Sequence, residues 1–253
     1  MCKPALQTGA QAGSTSYISS MMERDVRDLS NIDQLTALPN LLALLASRSG
    51  ALLNNSDVSR SLELPLTTLK RYLSLLELLF LVVPVRPWFG NFGKRLIKMP
   101  KTYLNDTGLL CHLLGCDVEA IYANGTLLGA VFENFVVMEL IKQLTWCQTR
   151  AKMFHFRTVN GQEVDVVLEA ADGKIVGIEC KAATTIKADT FKGLKALKES
   201  AGKKFHRGIV LYTGSNVLGF VEGMQAVPVS ALWEIASGES PVLVEVPTRS
   251  SRN

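Results

Sequence analysis

Two apolar, β-branched runs, "EVDVVLEA" and "IVGIECKA", stand on either side of "ADGK" and constrain this chain more than any other feature. Runs of this length and composition read as strands, and the Asp-Gly pair between them reads as a hairpin turn. Strands of this kind belong in a core, yet these carry Asp165, Glu179 and Lys181 among their valines and isoleucines. Burying an unpartnered charge is costly, so the three charges need either partners or a purpose. Side chains alternate along a strand, which puts Glu179 and Lys181 on one face and turns Cys180 to the other, towards the core. A hairpin about "ADGK" lets Asp165 converge on the same spot, with the register left open. Two carboxylates sharing a site repel, and a divalent cation held by their oxygens relieves the repulsion. With a lysine beside them the set has a chemical use. Mg²⁺ or Mn²⁺ polarises a phosphate and activates a water, while the ammonium stabilises the pentavalent charge or positions the nucleophile. The competing reading is structural, because Glu179 and Lys181 alone make an ordinary ion pair along a strand face.

The rest of the composition narrows the setting. The 253 residues, 47% hydrophobic and 20% charged, suffice for one large or two ordinary domains with real cores. No apolar run reaches the roughly 18 residues of a membrane span, because Glu77 interrupts "LSLLELLFLVV", and a secretory leader is not recognisable. A cytoplasmic protein is expected. Five scattered cysteines without CxxC spacing read as reduced structural thiols, and His112, His155 and His206 share no ligand spacing. The formal charge of +4 permits an anionic partner without demanding one.

Periodicity divides the chain into a leader over 1–16, a helical domain over 17–115, a hinge over 116–124, an α/β domain over 125–235 and a tail over 236–253. Within the helical domain "YISSMMERDVRDLSNI" and "DQLTALPNLLALLASRSG" have helical spacing, the second closing at Gly50. A short helix opened by Ser56, a turn through Glu63 to Pro65 and a longer helix follow. Leu66, Leu69, Leu73, Leu76 and Phe80 form the apolar face of that longer helix, and the spacing is that of a helix-turn-helix. Extended pieces then flank "GNFGK", as in a wing. In the α/β domain a helix precedes strands at 153–158, 163–170 and 175–182, a helix at 188–200, a strand at 207–213 and a last strand near "AVPVS".

Asp165, thirteen residues, and then Glu179-Cys180-Lys181 resembles the D…(D/E)xK signature of the restriction-endonuclease-like, or PD-(D/E)XK, phosphodiesterase fold. Val164 stands where the name of that signature has proline. The resemblance implies a mixed sheet flanked by helices, metal on Asp165 and Glu179, Lys181 serving the attacking water, and a further glutamate from the preceding helix, Glu133 in "GAVFENFVVMEL". Gln162 and Glu163 are polar neighbours without an assigned role. More widely, "RDVRDLSNI", "GALLNNSDVSRSL", "TLKRYLSLLE", "KRLIKMPKTYLNDTGLLCHLLG" and "GQEVDVVLE" resemble the C-terminal half of a large prokaryotic family of predicted AAA-type ATPases, over roughly residues 17–235. There an ATPase domain precedes a winged helix and a nuclease-like domain. This sequence has no GxxxxGK(S/T), and "GNFGKRL" lacks both its spacing and its hydroxyl, so no ATP binding is expected.

Charge gives the winged helix a partner. Arg86, Lys94, Arg95, Lys98 and Lys101 lie between Val82 and Leu104 without one acid, and Thr67, Thr68, Lys70 and Arg71 occupy the free face of the preceding helix. Such a surface suits the phosphates of duplex DNA. Trp88, Phe89 and Phe92 serve either base stacking or the hairpin core. Lys192, Lys195 and Lys198 form a second basic set, either a solvated face or a means of steering DNA to the carboxylates. Two functions follow: a Mg²⁺-dependent nucleic-acid phosphodiesterase with a DNA-binding winged helix, or a non-catalytic DNA-binding or protein-interaction module that partners an AAA-type ATPase.

Overall fold

A computed structural model describes residues 37–90 and 99–234. The expected leader, the helix before residue 37, the "GNFGK" turn with Phe92, Lys94, Arg95 and Lys98, and the tail lie outside the described residues. The chain forms two compact units, one containing the described residues up to Pro84 together with Lys101–Leu127, the other containing Val85–Pro100 and everything from Leu128. The segment after β1, expected in a wing, therefore groups with the C-terminal unit.

The first unit is mainly helical. Helices α1 (Ala37–Ser47), α2 (Asn55–Ser61), α3 (Leu66–Leu78), α4 (Thr107–Leu113) and α5 (Val118–Ala123) accompany a two-stranded sheet of β1 (Val82–Val85) and β2 (Lys101–Leu104). Leu38, Leu41, Leu42 and Leu45 bury one face of α1, and Leu69, Leu73 and Leu76 bury one face of α3. The apolar face is shorter than its sequence implies. Leu66 is the first helical residue and is exposed, while Phe80 lies beyond the last turn in a left-handed conformation (φ 55°) and is 73% exposed. The cap of α2 is Asn54 rather than Ser56, its side chain accepting from the Ser56 and Asp57 amides. The expected hinge is partly helical, because the Asp117 carboxylate accepts from the Ala120 amide and starts α5. Burial and the neighbouring Cys116 push the Cys111 thiol up to about 11, as suits a structural cysteine.

The second unit is built on a mixed six-stranded sheet. Helix α6 (Gly125–Trp146) precedes β3 (Ala151–Arg157), β4 (Glu163–Ala170) and β5 (Ile175–Lys181); a 3₁₀ turn leads into α7 (Lys192–Ala201), and β6 (Phe205–Tyr212), β7 (Leu218–Val221) and β8 (Met224–Pro228) follow. The spatial order is β3-β4-β5-β6-β8-β7. The first three strands are an antiparallel meander, β5, β6 and β8 run parallel, and α7 is the crossover from β5 to β6. Helix α7 is amphipathic, burying Leu194, Ala196 and Leu197 in the core with Val164, Ile175, Phe191 and Val210. The outer edge of β3 is covered by Arg86–Trp88: the His155 amide donates to the Arg86 carbonyl (2.9 Å) and its carbonyl accepts from the Trp88 amide (2.6 Å). Trp88 is buried in the core, with its indole N–H on Glu169 (3.3 Å), and so does not stack on bases. Among the described residues no helix is long and apolar enough to cross a membrane.

Gly177 and Gly193 allow α7 to lie close to the sheet. A Cβ at Gly177 would meet the Leu194 and Leu197 side chains, and one at Gly193 would come within 1.8 Å of the Glu163 carbonyl oxygen. The second obstacle is backbone and cannot step aside. Gly193→Ala is expected to cost about 1–3 kcal/mol by overpacking, against a helix-propensity gain of about 1 kcal/mol or less. Gly129→Ala, at a helical glycine with nothing within 4 Å, is the control and should stabilise slightly. Urea denaturation of both variants checks this; equal midpoints would contradict the close approach.

Candidate active site at the β4–β5 strand ends

The chain's topology brings three segments to one end of the sheet. The hairpin sets the start of β4 beside the end of β5, and the next elements after β5 are the 3₁₀ turn Ala188–Phe191 and the start of α7. On β5, Ile175 and Gly177 face α7, and period two carries Glu179 and Lys181 onto the same face just past the helix's cover. Lys181 Nζ lies 2.8 Å from Glu179 Oε1, with the lysine side chain 42% and the glutamate 12% exposed. Cys180 is buried on the other face, as expected.

Asp165 reaches the same place by an irregularity. Phe156 pairs with Val164 but Phe154 pairs with Val167, so His155 alone faces both Asp165 and Val166 in a β-bulge. The ladder to β5 is regular as far as Val166↔Ile178. Beyond it Asp165 Oδ2 accepts from the Cys180 amide at 2.9 Å, so a side chain takes over where backbone pairing ends. Asp165 is 7% exposed. Burial works to lower the Lys181 pKa, but the charge and hydrogen bond of Glu179, with the charge of Asp165 behind them, outweigh it and raise the value. Lys181 is thus held as an ammonium, a donor and a charge rather than a base.

A cleft of about 430 Å³ opens beside these groups, lined by Asn160, Gly161 and Gln162 from the turn before β4, Glu163 at its start, Glu179 and Lys181 from β5, Asp189 and Thr190 from the 3₁₀ turn, and Lys192 and Gly193 from the start of α7. Glu163 is itself paired with Arg157 at 3.1 Å. Of the predicted site residues, Asp165, Glu179 and Lys181 come together. Glu133 is half-buried on α6 and does not line the cleft. Helix α6 docks through Phe135, stacked on Trp233, and Gln143, bonded to the Leu232 carbonyl. Among the described residues no three of His, Cys, Asp and Glu converge to hold a metal.

The donor set still fits a hard cation. Asp165 and Glu179 supply carboxylate oxygens, the donors a hard cation prefers. Mg²⁺ is commonly held by one or two carboxylates, with waters and substrate phosphate completing its shell. Of the cleft residues beyond β5, Lys192 was in the second basic set of the sequence reading, and Asp189, Thr190 and Gly193 escaped it.

Of the predicted nucleic-acid contacts in the first unit, Thr67, Lys70 and Arg71 are exposed on α3 and Thr68 is half-buried. Lys101 is not available. It is 2% exposed, because β2 pairs with β1 on one side and with Leu52 on the other and all four of its residues are covered.

The raised Lys181 value has a consequence for stability. A group whose folded pKa exceeds its unfolded one contributes fully below the unfolded value, here 10.5, and loses that contribution as pH rises through the folded value. The stability difference between wild type and Lys181→Met should be flat from about pH 7 to 9 and shrink above 10.5. Thermal melts across that range check it; a difference that grows with alkalinity would contradict the ion pair.

Residues 5–120 match the Domain of unknown function (DUF8612), and residues 128–232 match the Domain of unknown function (DUF4143). An uncharacterized protein of Mycobacterium tuberculosis and another of Mycobacterium bovis are each 34% identical over 169 residues, which is 67% of this chain and 37% of each relative. The chain thus spans little more than a third of the length of these relatives. No solved structure matches it. The second matched stretch begins where the second unit resumes, at Leu128, and Asp165, Glu179, Lys181 and the cleft beside them all lie within the part of the chain that is similar to DUF4143.

Proposed function

We propose that this protein is a metal-dependent nucleic-acid phosphodiesterase of the PD-(D/E)XK type, with a winged-helix unit that binds duplex DNA, acting in the cytoplasm beside an AAA-type ATPase. One observation carries the reading: the alternation of β5 brings Glu179 and a charged lysine to the wall of a cleft, with the nearly buried Asp165 carboxylate held beside them on the Cys180 amide. Asp165 and Glu179 are the residues to hold Mg²⁺ or Mn²⁺. When bound, such an ion supplies Lewis-acid polarisation of a phosphate and lowers the pKa of a water.

The chain's own residues do the rest. Lys181 exchanges its hydrogen bond to Glu179 for one to a non-bridging phosphate oxygen or to the attacking water, placing a positive charge where negative charge develops. The water oxygen forms a bond to phosphorus as its proton passes to solvent, the bond to one ester oxygen breaks, and that oxygen takes a proton from solvent to leave as a hydroxyl. Glu179 and Lys181 pair directly at 2.8 Å, and that observation supports a second reading, a non-catalytic interaction module whose ion pair is structural.

The two readings predict opposite mutant behaviour. Under the first, Asp165→Asn and Glu179→Gln lose affinity for Mn²⁺ in calorimetric titration and lose plasmid cleavage. Lys181→Ala keeps its metal affinity while cleavage falls by about 10²-fold or more. If the wild type binds no Mn²⁺ and Lys181→Ala only lowers the melting temperature, the second reading stands.

A further inference from the structure

The surface next to the cleft is more basic than the protein as a whole. Residues 187–204 contain six lysines and two acids, Asp189 and Glu199, a net of +4 that equals the formal charge of the entire chain, 27 basic less 23 acidic side chains. The remaining 235 residues therefore sum to zero. Lys187, Lys192, Lys195, Lys198, Lys203 and Lys204 are all exposed, and none makes an ion pair with another described residue.

Packing fixes where these charges point. Gly193, Leu194, Ala196 and Leu197 bury the inner face of α7, so Lys192, Lys195 and Lys198 are held on its outer face, one nearly every turn over about 9 Å of helix. The first of them, Lys192, lines the cleft together with Glu179 and Lys181. A solvated helix face normally mixes its signs, and between Lys192 and Lys198 this one has no acid.

We infer that the outer face of α7 is the track for a phosphodiester backbone, with Lys192 handing the strand into the cleft and Lys195 and Lys198 holding the phosphates that follow. The inference rests on the proposed nuclease reading for its direction, towards the cleft, but not for the binding itself. It moves the main electrostatic contact from the winged helix, where Lys101 is buried, to the catalytic unit. A continuous line of uncompensated ammonium groups matches a polyanion of regularly spaced charge, and each phosphate neutralised releases a condensed counterion.

The test measures binding of the full chain to a fluorescent duplex and to a single strand in EDTA, so that neither metal nor cleavage enters, between about 50 and 200 mM salt. Lys192→Ala, Lys195→Ala and Lys198→Ala combined should weaken binding and flatten the slope of log K against log salt by about 2.7 on the duplex, or about 2 on the single strand. The slope that falls by its expected amount identifies the substrate form. The triple lysine-to-arginine variant keeps the charge and should bind like wild type, and unchanged melting temperatures separate lost contacts from lost folding. Unchanged affinity and slope overturn the inference, as does a triple variant that loses only its adhesion to phosphatidylserine vesicles. Wild-type binding through α7 without Mn²⁺-dependent cleavage would leave the track standing and remove the nuclease reading; cleavage with an unaffected triple variant would do the reverse.

Discussion

At the end of the β4–β5 ladder, Asp165 Oδ2 accepts the Cys180 amide that would otherwise continue the pairing. A buried backbone N–H needs an acceptor, and supplying one from a carboxylate lets the two strands part without leaving an unpaired donor. Strand separation is what a site at the end of a sheet requires. The same contact fixes Asp165 beside the Glu179–Lys181 pair and holds a nearly buried charge in a hydrogen bond. The bulge opposite His155 makes it possible, since regular pairing through Asp165 would have kept the side chain in step with its neighbours. His155 is in turn held from outside by Arg86 and Trp88. The site geometry thus depends on a segment some eighty residues earlier in the chain.

That dependence explains what the sequence could and could not disclose. The alternation Glu179-Cys180-Lys181 is local, and one strand suffices to put the charged pair on one face and the thiol on the other. The hairpin about "ADGK" and the amphipathic spacing of α7 are equally local. The bulge is not, because it arises from how β3 pairs simultaneously with β4 and with Arg86–Trp88. The place of Trp88 and Lys101 is fixed just as remotely: both belong to the expected wing when counted along the chain, and both are buried by pairing partners distant in sequence, Trp88 in the core of the sheet unit and Lys101 between β1 and Leu52. Strand β7 went unnoticed because four residues that include Gly219 and are largely exposed carry neither alternation nor a buried face.

The resemblance to a larger ATPase family gains a physical frame from the two units. The first has its own core of leucines from α1 and α3, and the second a separate core between α7 and the sheet. Each matches its own domain of unknown function, and the 169 residues shared with the mycobacterial relatives are 37% of the length of each. The mixed sheet is joined to a segment, residues 187–204, whose net charge of +4 equals that of the whole chain, and on the proposed reading that surplus holds a polyanion.

The central claim is that Asp165 and Glu179 converge to share a cation, and diffraction tests it most directly. Crystals soaked in Mn²⁺ and measured for its anomalous signal should show one peak between the two carboxylates, with Lys181 drawn away from Glu179. A crystal at saturating Mn²⁺ with no peak there, and with Lys181 still bonded to Glu179, would contradict the account and leave the three charges as a structural cluster.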